Sequence, residues 1–439
     1  MAAVWKKEGR RMRDGQPRLH EKGRTTHRLV KIISQWEWLL VLCLLPLLLL
    51  PPGLTAVSLL ALPLLWLLRR ASSGRFLATT PYDSAVLLLA AMVLASVFVT
   101  FNVHLSFPKI AGVSLSIALF YAAVAYSRQQ AGNLWRLLAL FLAAATTMIL
   151  AGLAFVAWPP AFAFLNAPRE WLPAALTKMP GTTAGTVNAN ELAGILTWLL
   201  PLLIAIAPGL VRRLWRQKAV LLILLATGSL AAALLLASHS RGGWLALATA
   251  LPAMAAIANR RWRWALLAAA PAGLILILTF DSSQYLFAAG PEQPIDLAGR
   301  LELWPRALYA LADFPLTGLG MNGFRQAAPV LYPFASLPAD VEVAHAHNHL
   351  LQAGLDLGLP GLVAYLALWA ISAALLRQSW QSATTAWQRA LIVGLSGSMT
   401  AGWIFGIFDA IAIGARPGFL WWLLLALIVA VHEDVMRDT

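Results

Sequence analysis

The 439-residue chain is 60% hydrophobic and 12% charged, with a formal net charge of +14. A soluble domain runs nearer about 45–50% apolar and about 25% charged, so these proportions exclude an ordinary globular enzyme and point to a polytopic membrane protein. The one cysteine, Cys43, excludes an internal disulfide and supplies no metal motif.

Residues 1–35 form a basic tail. Lys6, Lys7, Arg10, Arg11, Arg13, Arg18, Lys22, Arg24, Arg28 and Lys31 stand there against Glu8, Asp14 and Glu21. Such a run can bind nucleic acid. Beside a first membrane span it marks the cytoplasmic side and meets anionic lipid heads, so no nucleic-acid partner is expected. It looks like the start of a signal peptide, but no small-residue cleavage site follows its apolar core, and it is expected to be retained.

A span needs roughly 20 mostly apolar residues. Candidate runs lie at about 36–51, 54–68, 84–101, 108–126, 134–157, 188–207, 219–237, 243–258, 264–280, 347–376, 390–408 and 418–432. The first two are short and split by Pro51-Pro52-Gly53, as in a tight hairpin. The expected fold is an all-α polytopic membrane domain of about 12 transmembrane helices over residues 36–432, with a short cytoplasmic tail at 433–439. With the N-terminus inside, the inner connections hold Arg69, Arg70, Arg75, Arg128, Arg212, Arg213, Arg216, Lys218, Arg260, Arg261, Arg263, Arg377 and Arg389. This positive-inside bias puts both termini in the cytoplasm. Neither helical repeats nor a second soluble domain is evident.

Two outer connections are long, 158–187 and 281–346. The first opens on Trp158-Pro159-Pro160. In the second, a large periplasmic or external loop, Leu297, Leu301, Trp304, Leu308 and Leu311 recur at helical spacing. They predict an amphipathic helix lying on the membrane or on the bundle. DFPLTGLGMNGF, Asp313–Phe324, is a Pro/Gly turn cluster. The loop ends at HAHNHLLQAGLDLGLPG, His345–Gly361, at the outer mouth of a span.

Helical geometry puts His347 on one face with Leu351, Gly354, Gly358 and Gly361. It puts His345 and His349 on another, above Gln352 and Asp356. The glycine stripe admits another backbone or a ligand. Asp356, inside a span, needs a partner within the bundle. His345 and His349 read as interfacial packing groups. Their spacing also fits a metal, with Asp340 or Glu342 adding an oxygen, but no convincing third and fourth ligand stands elsewhere.

Outer arginines run against the charge bias: Arg241 in SHSRGGW, Arg300 in AGRLELWPR, Arg325 after GMNGF, and Arg416 in the last outer turn. Arginine suits two-pronged phosphate contacts. Any one of them could instead meet a lipid head or a carboxylate. Several around one mouth favour a phosphate-bearing ligand, because their mutual repulsion needs compensation.

The chain resembles the O-antigen ligase and O-antigen polymerase superfamily. The resemblance is carried by His347-Asn348 with Gly358-x-x-Gly361 beyond it, by AGRLELWPRALYALADFPLTGLGMNGF, by SHSRGGW, and by TVNANELAG (Thr186–Gly194). Order and spacing agree over residues 186–370, and the first 150 residues add only compatible spans. The resemblance implies a glycosyltransferase in the cytoplasmic membrane, acting at its outer, periplasmic face without metal or other cofactor. It implies a glycan on undecaprenyl diphosphate as donor, a glycan or glycolipid hydroxyl as acceptor, and inversion at the transferred carbon. Carried over, the motif histidine falls on His347 and the diphosphate-binding arginines on Arg241 and Arg300. His345 and His349 are extra to that pattern, so no role transfers to them.

Chemistry allows a matching mechanism. Arg241 and Arg300 would stabilise charge growing on the diphosphate leaving group. Neutral His347 would take the acceptor's proton. Asn348 would orient the histidine or the acceptor, and Glu191 would serve as a polar partner or arginine counter-ion. Arg325 and Arg416 complete the expected binding set. A polymerase would use the same residues. A lipid-linked glycan flippase or transporter should carry charges at mid-bilayer on broken helices, whereas here they cluster at one face. A peptidoglycan polymerase would depend on an outer-loop carboxylate, and a scaffold would not need the His347–Arg241–Arg300 set.

Overall fold

The computed structural model describes residues 36–44, 52–129, 132–156, 158, 164–167, 188–264, 297–335, 343–411 and 413–438. The basic tail, nearly all of the run at 264–280, most of the 158–187 loop, and residues 281–296 and 336–342, with Asp340 and Glu342, lie outside them. The described residues are helical, with no strand among them. In chain order the helices are α1 Glu37–Leu44, α2 Pro52–Ser73, α3 Asp83–Val99, α4 Val103–Ser127, α5 Asn133–Phe155, α6 Ala189–Leu214 and α7 Lys218–Ala237. They continue with α8 Arg241–Ala258, α9 Leu297–Asp313, α10 Phe324–Leu331, α11 His349–Ser382, α12 Ala386–Phe408 and α13 Phe419–Arg437.

Eight of these, α4 to α8 and α11 to α13, are long and apolar enough to cross a membrane, and α3 is apolar but shorter. The chain is an integral membrane protein. Against an expected count of about twelve spans, the described residues show eight candidates. Within the described residues the predicted runs coincide with helices, because backbone groups in lipid must pair within their own segment. The last helix reaches Arg437, well into the stretch read as a tail.

Four helices that start at the predicted outer side carry polar N-caps. Asn102, Asn188, Ser240 and Asn348 accept hydrogen bonds from first-turn N–H groups of α4, α6, α8 and α11. Each satisfies donors that the helix cannot. Helix α12 packs chiefly on α6 and α8, α11 on α3, and α13 on α4. Trp421 and Trp422 of α13 are fully buried at the centre.

Residues assigned to one side of the membrane meet at one end of the bundle. Arg128 pairs with Glu433, and Gln388 donates to Asp434 and Asp438. Arg69, read as a connection charge, is instead buried in an ion pair with Glu37 at 2.5 Å. The sidedness is testable. In a Cys43→Ser background, a membrane-impermeant maleimide applied to intact cells should label Ala312→Cys and miss Gln217→Cys. Outside labelling at 217 would overturn the orientation.

Helix α9 forms, and its buried face also takes in small residues outside the leucine spacing. Leu303, Ala307 and Ala310 are buried, whereas Leu301 and Leu308 are exposed. The reason is close approach: small side chains let α9 settle on α11, where Leu311 lies against Gly354. The Gly358 signature is explained in the same way. Gly358 has φ +68°, and a Cβ there would lie 2.4 Å from the Leu316 carbonyl. Only glycine tolerates that conformation and that contact. The helix opens there, and Leu355 O accepts from Leu319 N while Leu359 N donates to Pro315 O, both at 2.7 Å. The 313–324 turn cluster is therefore stitched backbone to backbone onto α11, and the glycine admits this loop.

Candidate functional site

The helical wheel fails for two of the three histidines. Asn348 is the N-cap of α11, its side chain accepting from Leu350 N at 2.9 Å and Leu351 N at 3.1 Å. His345 and His347 therefore lie on the preceding loop, and the expected pairing of His345 with His349 is replaced. The His345 and His347 rings sit side by side, with centroids 4.1 Å apart. His349, on α11, turns away into an aromatic box. Its Nδ1 bonds the Tyr365 hydroxyl at 2.9 Å, and Trp369 and Trp403 meet it edge to face. A Cβ at Gly406 would strike the ring at 2.6 Å, so this histidine is a packed core group.

His345 and His347 converge on Asp409, the residue that ends α12. His345 Nε2 is 3.5 Å and His347 Nδ1 3.8 Å from Asp409 Oδ1. Oδ1 also accepts the Ala410 N–H at 2.8 Å, and Oδ2 accepts from the Asn190 amide. The Asn190 carbonyl in turn accepts from the hydroxyl of Ser240, the N-cap of α8 and the residue before Arg241. Asn348 reaches the same helix end, donating to Ile407 O at 3.2 Å. Thus TVNANELAG, SHSRGGW and HAHNH, far apart in sequence, are joined through one carboxylate.

Electrostatics fix the protonation states. Burial pushes the Asp409 carboxyl up, but His345, His347, the Ala410 N–H and Arg300 outweigh it and hold the group below the usual carboxylate range. Burial, then His345 and Arg300, draw His347 down to about 3 against the pull of Asp409. Burial also lowers His345, aided by Lys109 and Arg325. At neutral pH the arrangement is an ionised carboxylate beside two neutral imidazoles.

Two imidazoles and a carboxylate whose ligand atoms lie within 4.8 Å of one another are a plausible donor set for a transition metal. The hydrogen bonding is set against it. His345 Nδ1 accepts the His347 N–H at 3.2 Å. A neutral ring then carries its proton on Nε2, the atom that faces Asp409, and offers a donor there in place of a lone pair.

The predicted residues are therefore partly assembled. Arg300, on α9, is close enough to act on both His347 and Asp409, and Arg325, on α10, acts on His345. Arg241 opens α8 beside Ser240, whose hydroxyl reaches the cluster through Asn190. Glu191 is half-buried next to Asn190 on α6. Arg416 opens a short 3-10 turn before α13, and its side chain lies outside the described residues. Sequence reasoning missed Asp409 and Asn190. The available signal was a lone acid at a span end, opposite a crowd of outer cations and histidines.

Among the described residues, three non-glycine residues have left-handed backbones: His239, Asn322 and His347, at φ 51°, 64° and 45°. One falls in each of three motifs. Such conformations cost on the order of 1–3 kcal/mol each and persist where surroundings enforce them, as at functional sites.

The fold and this cluster define an all-helical membrane protein with a buried-carboxylate, histidine and arginine centre at one mouth of its bundle. Residues 220–366, about a third of the chain, match the family model described as O-antigen ligase. That segment is what the chain has in common with the O-antigen ligase family, and the likeness supports the O-antigen ligase/polymerase superfamily. No curated protein matches the chain.

Proposed function

We propose that the protein is an inverting membrane glycosyltransferase that moves a glycan from undecaprenyl diphosphate to an acceptor hydroxyl on the outer face of the cytoplasmic membrane. The observation that carries this reading is neutral His347, 3.8 Å from Asp409 and under the charge of Arg300, within the family-matching segment. Asp409 lies on the Nδ1 side of the ring, which leaves Nε2, on the far side, to take a proton. The acceptor oxygen attacks the anomeric carbon as His347 Nε2 removes its proton. The bond from that carbon to the diphosphate oxygen breaks, and the electron pair leaves with the diphosphate. Arg300 and Arg241 hold the growing negative charge, and Arg325 and Arg416 complete the binding set. Asn348 fixes the loop end, and Glu191 balances the arginines. No metal takes part. Ligase and polymerase differ only in the acceptor, and both use these residues.

The test is transfer from a purified lipid-diphosphate donor by folded protein in nanodiscs. Arg300→Ala and Arg241→Ala should lose donor use, and lysine at either position should recover it only in part, because the two-pronged contact is gone. Full activity in Arg300→Ala would remove that residue from the site.

A further inference from the structure

His347 is strained, and nothing in the proposed chemistry explains what holds it. The neighbouring peptide supplies an answer. Ala346, between the two site histidines, is fully buried, and both of its backbone polar groups are held by side chains. Its N–H donates to Gln352 Oε1 at 2.9 Å, and its carbonyl accepts from the Trp304 indole N–H at 3.2 Å. Gln352 is itself fixed. Its amide donates to Asp356 Oδ1 at 2.9 Å, and Asp356, with no exposed surface, also accepts from Asn322 N at 2.9 Å and from Lys109 Nζ at 2.5 Å.

We infer that Gln352 and Trp304 are positioning residues that clamp the Ala346 peptide and so aim His345 and His347, with the Lys109–Asp356 pair as the anchor of the clamp. The inference rests on the reading of His347 as the base. Two features make the arrangement more than packing. An amide is the side chain that can accept from Ala346 and donate to Asp356 at once, so Gln352 bridges both. Trp304 also stands one helical turn after Arg300 on α9, so the element that carries a proposed phosphate-binding arginine grips the histidine loop directly. A donor that draws Arg300 would, through Trp304, settle the base.

The test compares Gln352→Met and Trp304→Phe with wild type and His347→Ala in nanodiscs. It reads transfer rate, donor affinity and melting temperature. Gln352→Met keeps the volume and loses both hydrogen bonds. Its kcat should fall about 10²-fold, the usual result of moving a reacting group by an ångström. Donor affinity should be nearly unchanged. Trp304→Phe keeps a ring and loses the indole N–H, and it should show the same kcat-selected loss to a smaller degree. It also carries the test if Gln352→Met does not fold. Normal kcat in either folded variant, with His347→Ala inactive, overturns the clamp and leaves the base reading standing. Normal turnover in His347→Ala overturns both.

Discussion

His347→Ala is expected to cut transfer by about 10²–10⁴-fold, the usual worth of a positioned general base. Donor affinity should change little, since the diphosphate is assigned to the arginines. The three histidines are expected to separate cleanly, because they occupy three different settings. His349 is sealed in its aromatic box beside Tyr365, Trp369 and Trp403. His349→Ala should therefore lower yield and melting temperature, by the equivalent of about 2–4 kcal/mol for a large buried ring, with near-normal turnover per folded molecule. His345 touches Asp409 and the His347 ring, and its Nδ1 accepts the His347 N–H. His345→Ala should give a smaller loss of rate than His347→Ala. Rates and donor affinities of all three variants in one preparation decide the matter. Normal turnover in His347→Ala beside a dead His345→Ala would reverse the assignment.

The spans were readable because a membrane helix writes its length into a continuous apolar run. The site was readable only in part, and each miss has a physical cause. Wheel geometry was extended across His345 and His347, but an asparagine before an apolar run is a helix N-cap, and Asn348 ends the helix there. With the cap recognised, the two histidines fall on a loop, free to face a common partner. That partner, Asp409, lies 62 residues beyond His347 in a stretch with no motif of its own. Its only local trace is a lone acid at the end of a span. In TVNANELAG the charge of Glu191 drew attention, while Asn190 bridges Ser240 and Asp409. In α9 the leucine spacing includes Leu311, which meets α11, but it does not mark the buried Ala307 and Ala310. Between helices that approach closely, the small residues mark the contact. Asp356 was legible as a buried acid in need of a partner, and Lys109 is that partner.

Asp409→Asn should reduce turnover by about 10²–10³-fold, less than the roughly 10⁴-fold lost when a tightly hydrogen-bonded triad carboxylate is replaced. The distance sets the smaller figure. His347 Nδ1 is 3.8 Å from Asp409 Oδ1, beyond a formed hydrogen bond, so the carboxylate acts largely through its charge until a substrate tightens the pair. That origin gives a sign as well as a size. Asp409 raises the pKa of His347 against the lowering by burial, His345 and Arg300. Removing its negative charge should let the His347 pKa fall further, making a weaker base. The acidic limb of the rate profile should then move to lower pH in Asp409→Asn while the plateau drops. Asp409→Glu keeps the charge and should restore part of the plateau and move the limb back. A carboxylate that only props up the end of α12, through Ala410 and Asn190, predicts lost stability with an unmoved limb. An acidic limb that stays in place, or shifts to higher pH, would remove Asp409 from the proton-transfer step.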